Sequence, residues 1–211
     1  AQVAAIGIIR ISGPKSLPIV DRLFHPVSGK LMSGYEDRKL VYGRLTDRGG
    51  ELLDLCLCTV SHAPHSYTGE DTAELQCHGS PTVLRTALEE LFHAGARQAL
   101  PGEFTKRAFL NGRMELSSAE AVADIIDAES IECAKNAAAQ LSGAVAVKAD
   151  NIYSTLTDIS SHYHAVLDYP DEDIEDFCLE NYKQQLCSAA DSLRALLKSF
   201  ERGKLMVSGI P

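Results

Sequence analysis

The chain has 211 residues, of which 45% are hydrophobic and 23% charged, and its formal net charge is −9. No apolar run approaches the ~20 residues that cross a membrane, and the start lacks the ordered basic, apolar and cleavage regions of a signal peptide. We therefore expect a soluble, cytoplasmic protein of one or two domains, which excludes the membrane-spanning and secreted classes.

The acidic excess lies entirely in the second half of the chain. Residues 1–110 contain 12 basic and 12 acidic residues, whereas residues 111–211 contain 8 and 17. A basic stripe of the kind that binds nucleic acid is absent, so we expect this chain alone to bind nucleic acid poorly. The six cysteines (56, 58, 77, 133, 178 and 187) are scattered, which favours reduced thiols over a disulfide framework.

The chain begins with a predicted strand and helix. Residues 3–11 are a β-branched run with one charge, at Arg10, and are predicted to form a buried strand. Arg10 either points into solvent at the strand's end, which we favour, or binds an anion. The segment Ser12-Gly13-Pro14 predicts a helix that continues to His25-Pro26.

A hairpin of two strands is predicted next, at 39–45 and 51–60, with a glycine pair in its turn. Cys56 and Cys58 fall on one face of the second strand. With the histidines at positions 62 and 65 they suggest a zinc site. A second pair of ligands at metal-site spacing is missing, so we predict buried strand thiols and no metal.

Residues 64–79 (PHSYTGEDTAELQCHG) concentrate side chains that are able to bind a ligand. A turn-forming segment leads to the adjacent acids Glu70 and Asp71, and a predicted strand at 72–77 contains Glu74. Carboxylates presented by a loop and a strand can hold the N–H edge of a polar ligand. The alternative is a solvated hairpin followed by a helix.

The rest of the chain is predicted to be mainly helical. Helices are expected at 81–94, after Ser80 and Pro81 and ending at Gly95, and at 101–110, 117–129 and 179–201. The segment 131–169 forms either one long helix or two that separate near Ser142-Gly143. Three smaller features are a strand at 96–100, a Ser117-x-x-Glu120 capping box and an acidic, solvated helix start at 171–176. The core side of the 101–110 helix is expected to consist of Phe104, Ala108, Phe109 and Leu110.

Five segments together resemble one known family. They are RISGP at 10–14, HSYTGED at 65–71, ELQCHG at 74–79, PGEFTKRAFLNGRMELSSAEAVADIIDA at 101–128 and DYPDEDIE at 168–175. In this order and at compatible spacing, they closely resemble the tRNA-modification GTPases of the MnmE (TrmE) family over all 211 residues. The resemblance implies an α+β domain, similar to tetrahydrofolate-binding aminomethyltransferases, followed by an all-α helical domain.

The domains implied by the resemblance are a folate-binding and dimerisation domain at 1–112 and an incomplete helical domain at 113–202. Residues 203–211 look like a buried strand and resemble the first strand of a truncated G domain, with Gly209-Ile210-Pro211 at the beginning of its P-loop. The phosphate-binding lysine of that motif is not in this sequence. We therefore expect no catalytic residue and no GTP hydrolysis in these 211 residues, and binding of GTP, Mg²⁺ and K⁺ only by the G domain.

The family's activity is implied for the whole protein. With an FAD-dependent partner, MnmG (GidA), the family modifies C5 of the wobble uridine of tRNA with aminomethyl-type groups. The one-carbon unit comes from a 5-formyl- or 5,10-methylene-tetrahydrofolate. The resemblance thus implies a homodimer, a partner protein and tRNA bound through the full complex, with no membrane association.

Three folate-contact positions are implied by the resemblance: Arg10 in RISG, Glu74 in the ELQ strand and Arg113 after Asn-Gly. A carboxylate such as Glu74 can accept hydrogen bonds from the adjacent N–H groups of a pterin, and the arginines would pair with ligand oxygens.

The family usually has lysine where Arg113 stands and a glycine-rich loop before the first strand. These departures support one alternative, a dimerisation scaffold without a competent folate site. A stand-alone aminomethyltransferase-like enzyme is a third hypothesis, disfavoured by the helical second half.

Overall fold

The computed structural model describes residues 3–169 and 179–208 of the chain. It divides into two compact units, Ala1–Met114 and Glu115–Pro211, whose division lies two residues from the boundary expected at 112–113. The first unit is α+β and the second is helical, so the predicted fold class is confirmed. In the described ranges, no helix is both long and apolar enough to cross a lipid bilayer.

The first unit is built on a five-stranded antiparallel sheet with the order β1-β5-β4-β3-β2. Its strands are β1 (Ile6–Ser12), β2 (Phe24–Pro26), β3 (Val41–Thr46), β4 (Leu52–Ser61) and β5 (Thr72–His78). Its helices are α1 (Ser16–Leu23), α2 (Pro81–His93) and α3 (Glu103–Leu110), with a 3₁₀ turn at Met32–Gly34.

One face of the sheet packs against α1 and α2 and forms the hydrophobic core. Successive side chains of a strand point to opposite faces, so Ile9, Leu75 and Cys58, which stand opposite one another in neighbouring strands, share the core face. All three are buried, as are Cys56 and Cys77. Cys56 and Cys58 are therefore buried strand thiols, as predicted, and desolvation raises the pKa of Cys58 to about 12.

The other face of the sheet, which we call the open face, presents alternate residues of the same strands. One row across it consists of Tyr42, Leu57, Gln76 and Ile8, and the next consists of Thr59, Glu74 and Arg10. The first row includes exposed apolar side chains, with Ile8 58% and Tyr42 50% exposed. The first strand, which was predicted to be buried, is buried on one face only.

The second unit contains four helices in the described ranges. They are α4 (Leu116–Ile126), α5 (Ile131–Leu141), α6 (Ala144–Asp168) and α7 (Leu179–Ser208). Gly143 adopts a left-handed conformation, φ 82°, between α5 and α6, which confirms the two-helix alternative. The predicted capping box is wrong: Glu115, not Ser117, precedes the first helical residue, and no side chain caps that end.

Several other predictions of local structure are corrected. Residues 24–26 form a strand, where the helix was expected to continue, because Phe24 pairs with Leu45 at the sheet edge. Residues 96–100 are not a strand. Residues 203–208 extend α7, so the strand predicted there is wrong. The acidic run at 171–176 and residues 209–211 lie outside the described residues.

The helix predicted at 101–110 begins later, at Glu103. Of the residues expected on its core side, Ala108 is fully buried, whereas Phe109 is 38% and Leu110 67% exposed. Phe104 is half-buried and lies beside Arg10 on the open face. The helix therefore contributes to the surroundings of the predicted site more than to the core.

Candidate ligand site on the open sheet face

Arg10 and Glu74 are brought together by strand pairing. They stand directly opposite each other in β1 and β5, and Arg10 Nε donates to Glu74 Oε1 at 2.6 Å. The side chains are 43% and 28% exposed, so a ligand can reach both. In the part of the chain that the structure describes, Glu74 Oε2 has no hydrogen-bond partner. One carboxylate oxygen is thus oriented by the arginine while the other is available.

Two aromatic rings flank the Arg10 guanidinium. Its Cζ lies 5.6 Å from the ring centroid of Tyr67 and 5.7 Å from that of Phe104. Rings at this distance attract a cation through their negatively charged faces. Tyr67 is positioned in turn by its hydroxyl, which is 3.0 Å from Thr105 Oγ1 in α3. The aromatic pair was not predicted, although Tyr67 lies in the HSYTGED segment and Phe104 in the PGEFT segment.

The 62–71 loop, which joins β4 to β5, is fixed to β1 and α3 by polar contacts. Ser12 Oγ lies 2.7 Å from Thr68 Oγ1 and donates to Glu70 Oε2 at 3.0 Å. Asn111 Nδ2 donates to the Thr68 carbonyl oxygen at 2.7 Å. Thr68 is fully buried and Ser66, which donates to the Glu70 carbonyl oxygen, is 5% exposed. The loop is therefore hydrogen-bonded to the rest of the unit and partly buried, and it is not a solvated hairpin.

The two acids at the end of this loop are occupied by the protein itself. Arg107 Nη1 donates to Glu70 Oε2 at 2.8 Å, and Asp71 Oδ1 accepts from the Ala63 backbone N–H at 2.9 Å. Glu70 and Asp71 each use one carboxylate oxygen to fix the loop, whereas Glu74 contacts Arg10 on the sheet. The structure thus distinguishes a candidate binding acid from two acids that hold the loop, which the sequence pattern could not do.

Arg107 links this loop to α3 through a network of charges. It also donates to Glu103 Oε1 from Nη2 at 2.8 Å and from Nε at 3.1 Å. Glu103 further accepts from Arg97 and from the Leu100 backbone N–H. The Arg97 hydrogen bond, the Leu100 N–H and Arg107 hold the pKa of Glu103 well below its ordinary range. The carboxylates of Glu70 and Glu103 raise the pKa of Arg107.

Arg113 lies at the same loop but does not meet the other two predicted residues. A Cβ atom added to Gly69, whose φ is 77°, would lie 3.2 Å from Arg113 Cγ, so the arginine stem runs along the loop. Its backbone N–H donates to the Ala108 carbonyl oxygen at 2.8 Å. The side chain is exposed, and within the described residues it forms no ion pair with Glu74. Among the described residues, Arg10 and Glu74 are therefore the two predicted site residues that the structure brings into contact.

Three further features lie outside the open face. Asp54, Cys56 and Cys77 have potential metal-ligand atoms within 4.8 Å of one another. The Asp54 carboxylate already accepts from the backbone N–H groups of Leu55 and His78 and contacts the His78 ring. His62 pairs with Asp37 at 2.6 Å, which raises the pKa of His62. Two hollows of about 450 and 650 Å³ lie between α6 and α7, away from the predicted site residues.

The chain matches two family models. The model described as GTP-binding protein TrmE N-terminus matches residues 1–113, and the MnmE helical domain model matches residues 116–211. Relatives named tRNA modification GTPase MnmE include that of Bacteroides thetaiotaomicron, 39% identical over 100% of this chain. Those of Caldicellulosiruptor saccharolyticus and Clostridioides difficile are 39% and 38% identical over 97%.

The chain spans less than half of these relatives, 45%, 45% and 44% of their lengths in the same order. The order of the two matched models agrees with the α+β and helical units of the structure. The chain therefore belongs to the MnmE (TrmE) family, of which it contains the N-terminal and helical domains.

Proposed function

We propose that the first unit binds a tetrahydrofolate derivative, 5-formyl- or 5,10-methylene-tetrahydrofolate, on the open face beside Glu74. The observation that supports this most is the pair of Glu74 oxygens, one held by Arg10 and the other available. A carboxylate accepts two parallel hydrogen bonds from neighbouring N–H donors, and a pterin ring presents such donors on one edge. Folate, when bound, would supply the one-carbon unit.

The other residues suit the remaining parts of a folate. The rings of Tyr67 and Phe104, which now flank the Arg10 guanidinium, offer apolar area to a flat heterocycle. Arg10 has guanidinium nitrogens beyond the one bound to Glu74, and the Arg113 head is exposed. Both arginines would pair with carbonyl, formyl or glutamate oxygens of the ligand.

For the whole protein, we propose a GTPase that modifies C5 of the wobble uridine of tRNA together with an FAD-dependent partner, MnmG. Family membership supports this, since the relatives are named tRNA modification GTPase MnmE. Because the chain spans 45% of such relatives, GTP, Mg²⁺ and K⁺ would bind in the remainder of the protein. Residues 1–110 have no net charge, which agrees with tRNA binding through the complete assembly rather than by this unit alone. We place this activity in the cytoplasm.

We also propose that the first unit mediates homodimerisation through the open face. Ile6, Ile8, Tyr42 and Leu55, all on that face, are between 43% and 65% exposed. Neighbouring apolar side chains at this exposure are typical of a protein interface. A charged substitution, Ile8→Glu, should give monomers in sedimentation velocity, whereas the exposed helical change Leu88→Glu should leave the dimer intact. Dimers formed equally well by Ile8→Glu would contradict the proposed surface.

Isothermal titration calorimetry with 5-formyltetrahydrofolate tests the folate proposal. Hydrogen bonds to a charged group contribute about 1.5–3 kcal/mol each, so Glu74→Ala should weaken binding by about 10-fold to 100-fold or more. The exposed Glu89→Ala in α2, which packs on the opposite face, is the matched control. Equal affinity of the Glu74→Ala variant and the parent would remove Glu74 from the site. No folate binding by the parent, together with intact dimers, would instead support the scaffold alternative.

A further inference from the structure

Thr59 presents an unusual hydroxyl on the open face. It lies in β4 directly opposite Glu74, which stands opposite Arg10, so the three side chains form one row across three strands. Thr59 Oγ1 is closed to solvent, and no hydrogen-bond partner for it exists among the described residues. Among the described residues, every other buried side-chain oxygen or nitrogen has a hydrogen-bond partner.

Three other threonine hydroxyls in the same unit are paired. Thr46 Oγ1 donates to the Leu23 carbonyl oxygen at 3.3 Å, and those of Thr68 and Thr105 pair with Ser12 and Tyr67. An unpaired buried hydroxyl destabilises the protein, because it has lost water without gaining a partner. A valine would fill the same volume in the strand without that cost. Among the described residues, nothing offsets the burial of the hydroxyl at position 59.

We propose that the Thr59 hydroxyl is a specificity-determining contact for the pterin ring, donating a hydrogen bond to an acceptor beside the ring edge that Glu74 binds. This inference rests on the proposed folate function. The two adjacent N–H groups that suit a carboxylate, the ring N3–H and the 2-amino group, have an acceptor on either side. The carbonyl oxygen at C4 lies on one side and the ring nitrogen N1 on the other, so a hydroxyl next to the carboxylate donates in either orientation.

The distance between Thr59 and Glu74 allows both side chains to contact the same pterin ring. Side chains directly opposite in antiparallel strands have Cβ atoms about 4.5–5.5 Å apart, within the span of a fused bicyclic heterocycle. Thr59 Oγ1 is closed to solvent, so an adjacent side chain must move before a ligand can contact it. Glu74 is held by one hydrogen bond, from Arg10, and can change rotamer when a ring N–H becomes an additional donor.

The test is calorimetry with two probes, 5-formyltetrahydrofolate and 6-methylpterin, which lacks the glutamate tail. Thr59→Val should weaken binding of both probes by about 5-fold to 10-fold, the effect of one hydrogen bond. Thr59→Ser, which keeps the hydroxyl, should bind within about 2-fold of the parent. Thr82→Val, the same change at an exposed position of α2, is the control. In the ligand-free state, Thr59→Val should melt at the same or a higher temperature than the parent, because it removes an unpaired hydroxyl.

Three results would overturn the inference while leaving the folate proposal in place. The first is that Thr59→Val binds as tightly as the parent although Glu74→Ala has lost binding. The second is that Thr59→Val loses affinity for 5-formyltetrahydrofolate but not for 6-methylpterin. The third is that ligand-free Thr59→Val melts at a lower temperature than the parent. The last would mean that the hydroxyl is already paired in the free protein. If the parent binds neither probe, the proposed function fails and the Thr59 assignment fails with it.

Discussion

The contact between the 62–71 loop and α3 leads to a specific prediction for Arg107. Replacing Arg107 with methionine keeps an unbranched apolar stem and removes the three hydrogen bonds that the guanidinium donates to Glu70 and Glu103. The loop presents Tyr67 to Arg10, so this substitution should loosen the candidate site as well as destabilise the unit.

The magnitude follows from the exposure of the three groups. Arg107, Glu70 and Glu103 side chains are 29%, 27% and 12% exposed, between a surface ion pair and a buried one. Exposed pairs contribute 0–1 kcal/mol, whereas sheltered hydrogen bonds to charged groups contribute about 1.5–3 kcal/mol. Ser12 and Arg97 still partner the two carboxylates after the change. We therefore expect a loss of about 2 kcal/mol, or roughly 10 °C in the unfolding temperature of a unit this size.

Hydrogen–deuterium exchange of the intact chain, combined with urea unfolding, measures both effects. Faster exchange should be concentrated in residues 62–71 and the first turn of α3. Arg107→Lys, which keeps the charge but not the forked donors, should be intermediate. Arg194→Met, which breaks an exposed pair with Asp191, should change stability by less than about 0.5 kcal/mol. Unchanged exchange in the loop and a loss below about 0.5 kcal/mol for Arg107→Met would refute the positioning argument.

Two further predictions concern the same unit. Gly69→Ala should destabilise the unit by about 1–3 kcal/mol in urea unfolding, because φ is 77° and the new Cβ would lie 3.1 Å from Asn111 Cβ. Gly29 has the same φ but no atom near its added Cβ, so Gly29→Ala measures the cost of the backbone conformation without the clash. Because the pKa of Glu103 is lowered in the folded state, its ionised carboxylate stabilises the fold above the ordinary value of 4.5, and this contribution is lost as pH falls through the folded pKa. The difference in the free energy of unfolding between the parent and Glu103→Gln should therefore shrink below pH 4.5. A difference that is constant from pH 7 to pH 3 would contradict this.

Much of the first unit was predictable because its signals are local. The hairpin of β3 and β4, the strand containing Glu74 and the helix after Ser80-Pro81 all follow from alternation, turn glycines and helix-start residues. The strand at 24–26 was not, because three residues form a strand only through pairing with β3. The helix through Ser208 was missed for a related reason, since a short apolar run does not distinguish strand from helix.

The candidate site was predictable only in part. Arg10 and Glu74 were identified from the family resemblance, and their direct pairing requires the register of β1 against β5, which neither segment encodes alone. Tyr67 and Phe104 lie 37 positions apart and meet at Arg10 only after α3 packs beside the sheet. The pairing of Glu70 with Arg107, and the lack of a partner for Thr59, likewise depend on tertiary contacts.

A crystal structure of the chain with 5-formyltetrahydrofolate bound tests the central claim most directly. We predict the pterin ring on the open face, with its N–H edge within hydrogen-bond distance of Glu74 and its plane against Tyr67 or Phe104. A ring bound elsewhere on the chain, with the Glu74 carboxylate contacted by Arg10 alone, would contradict the account.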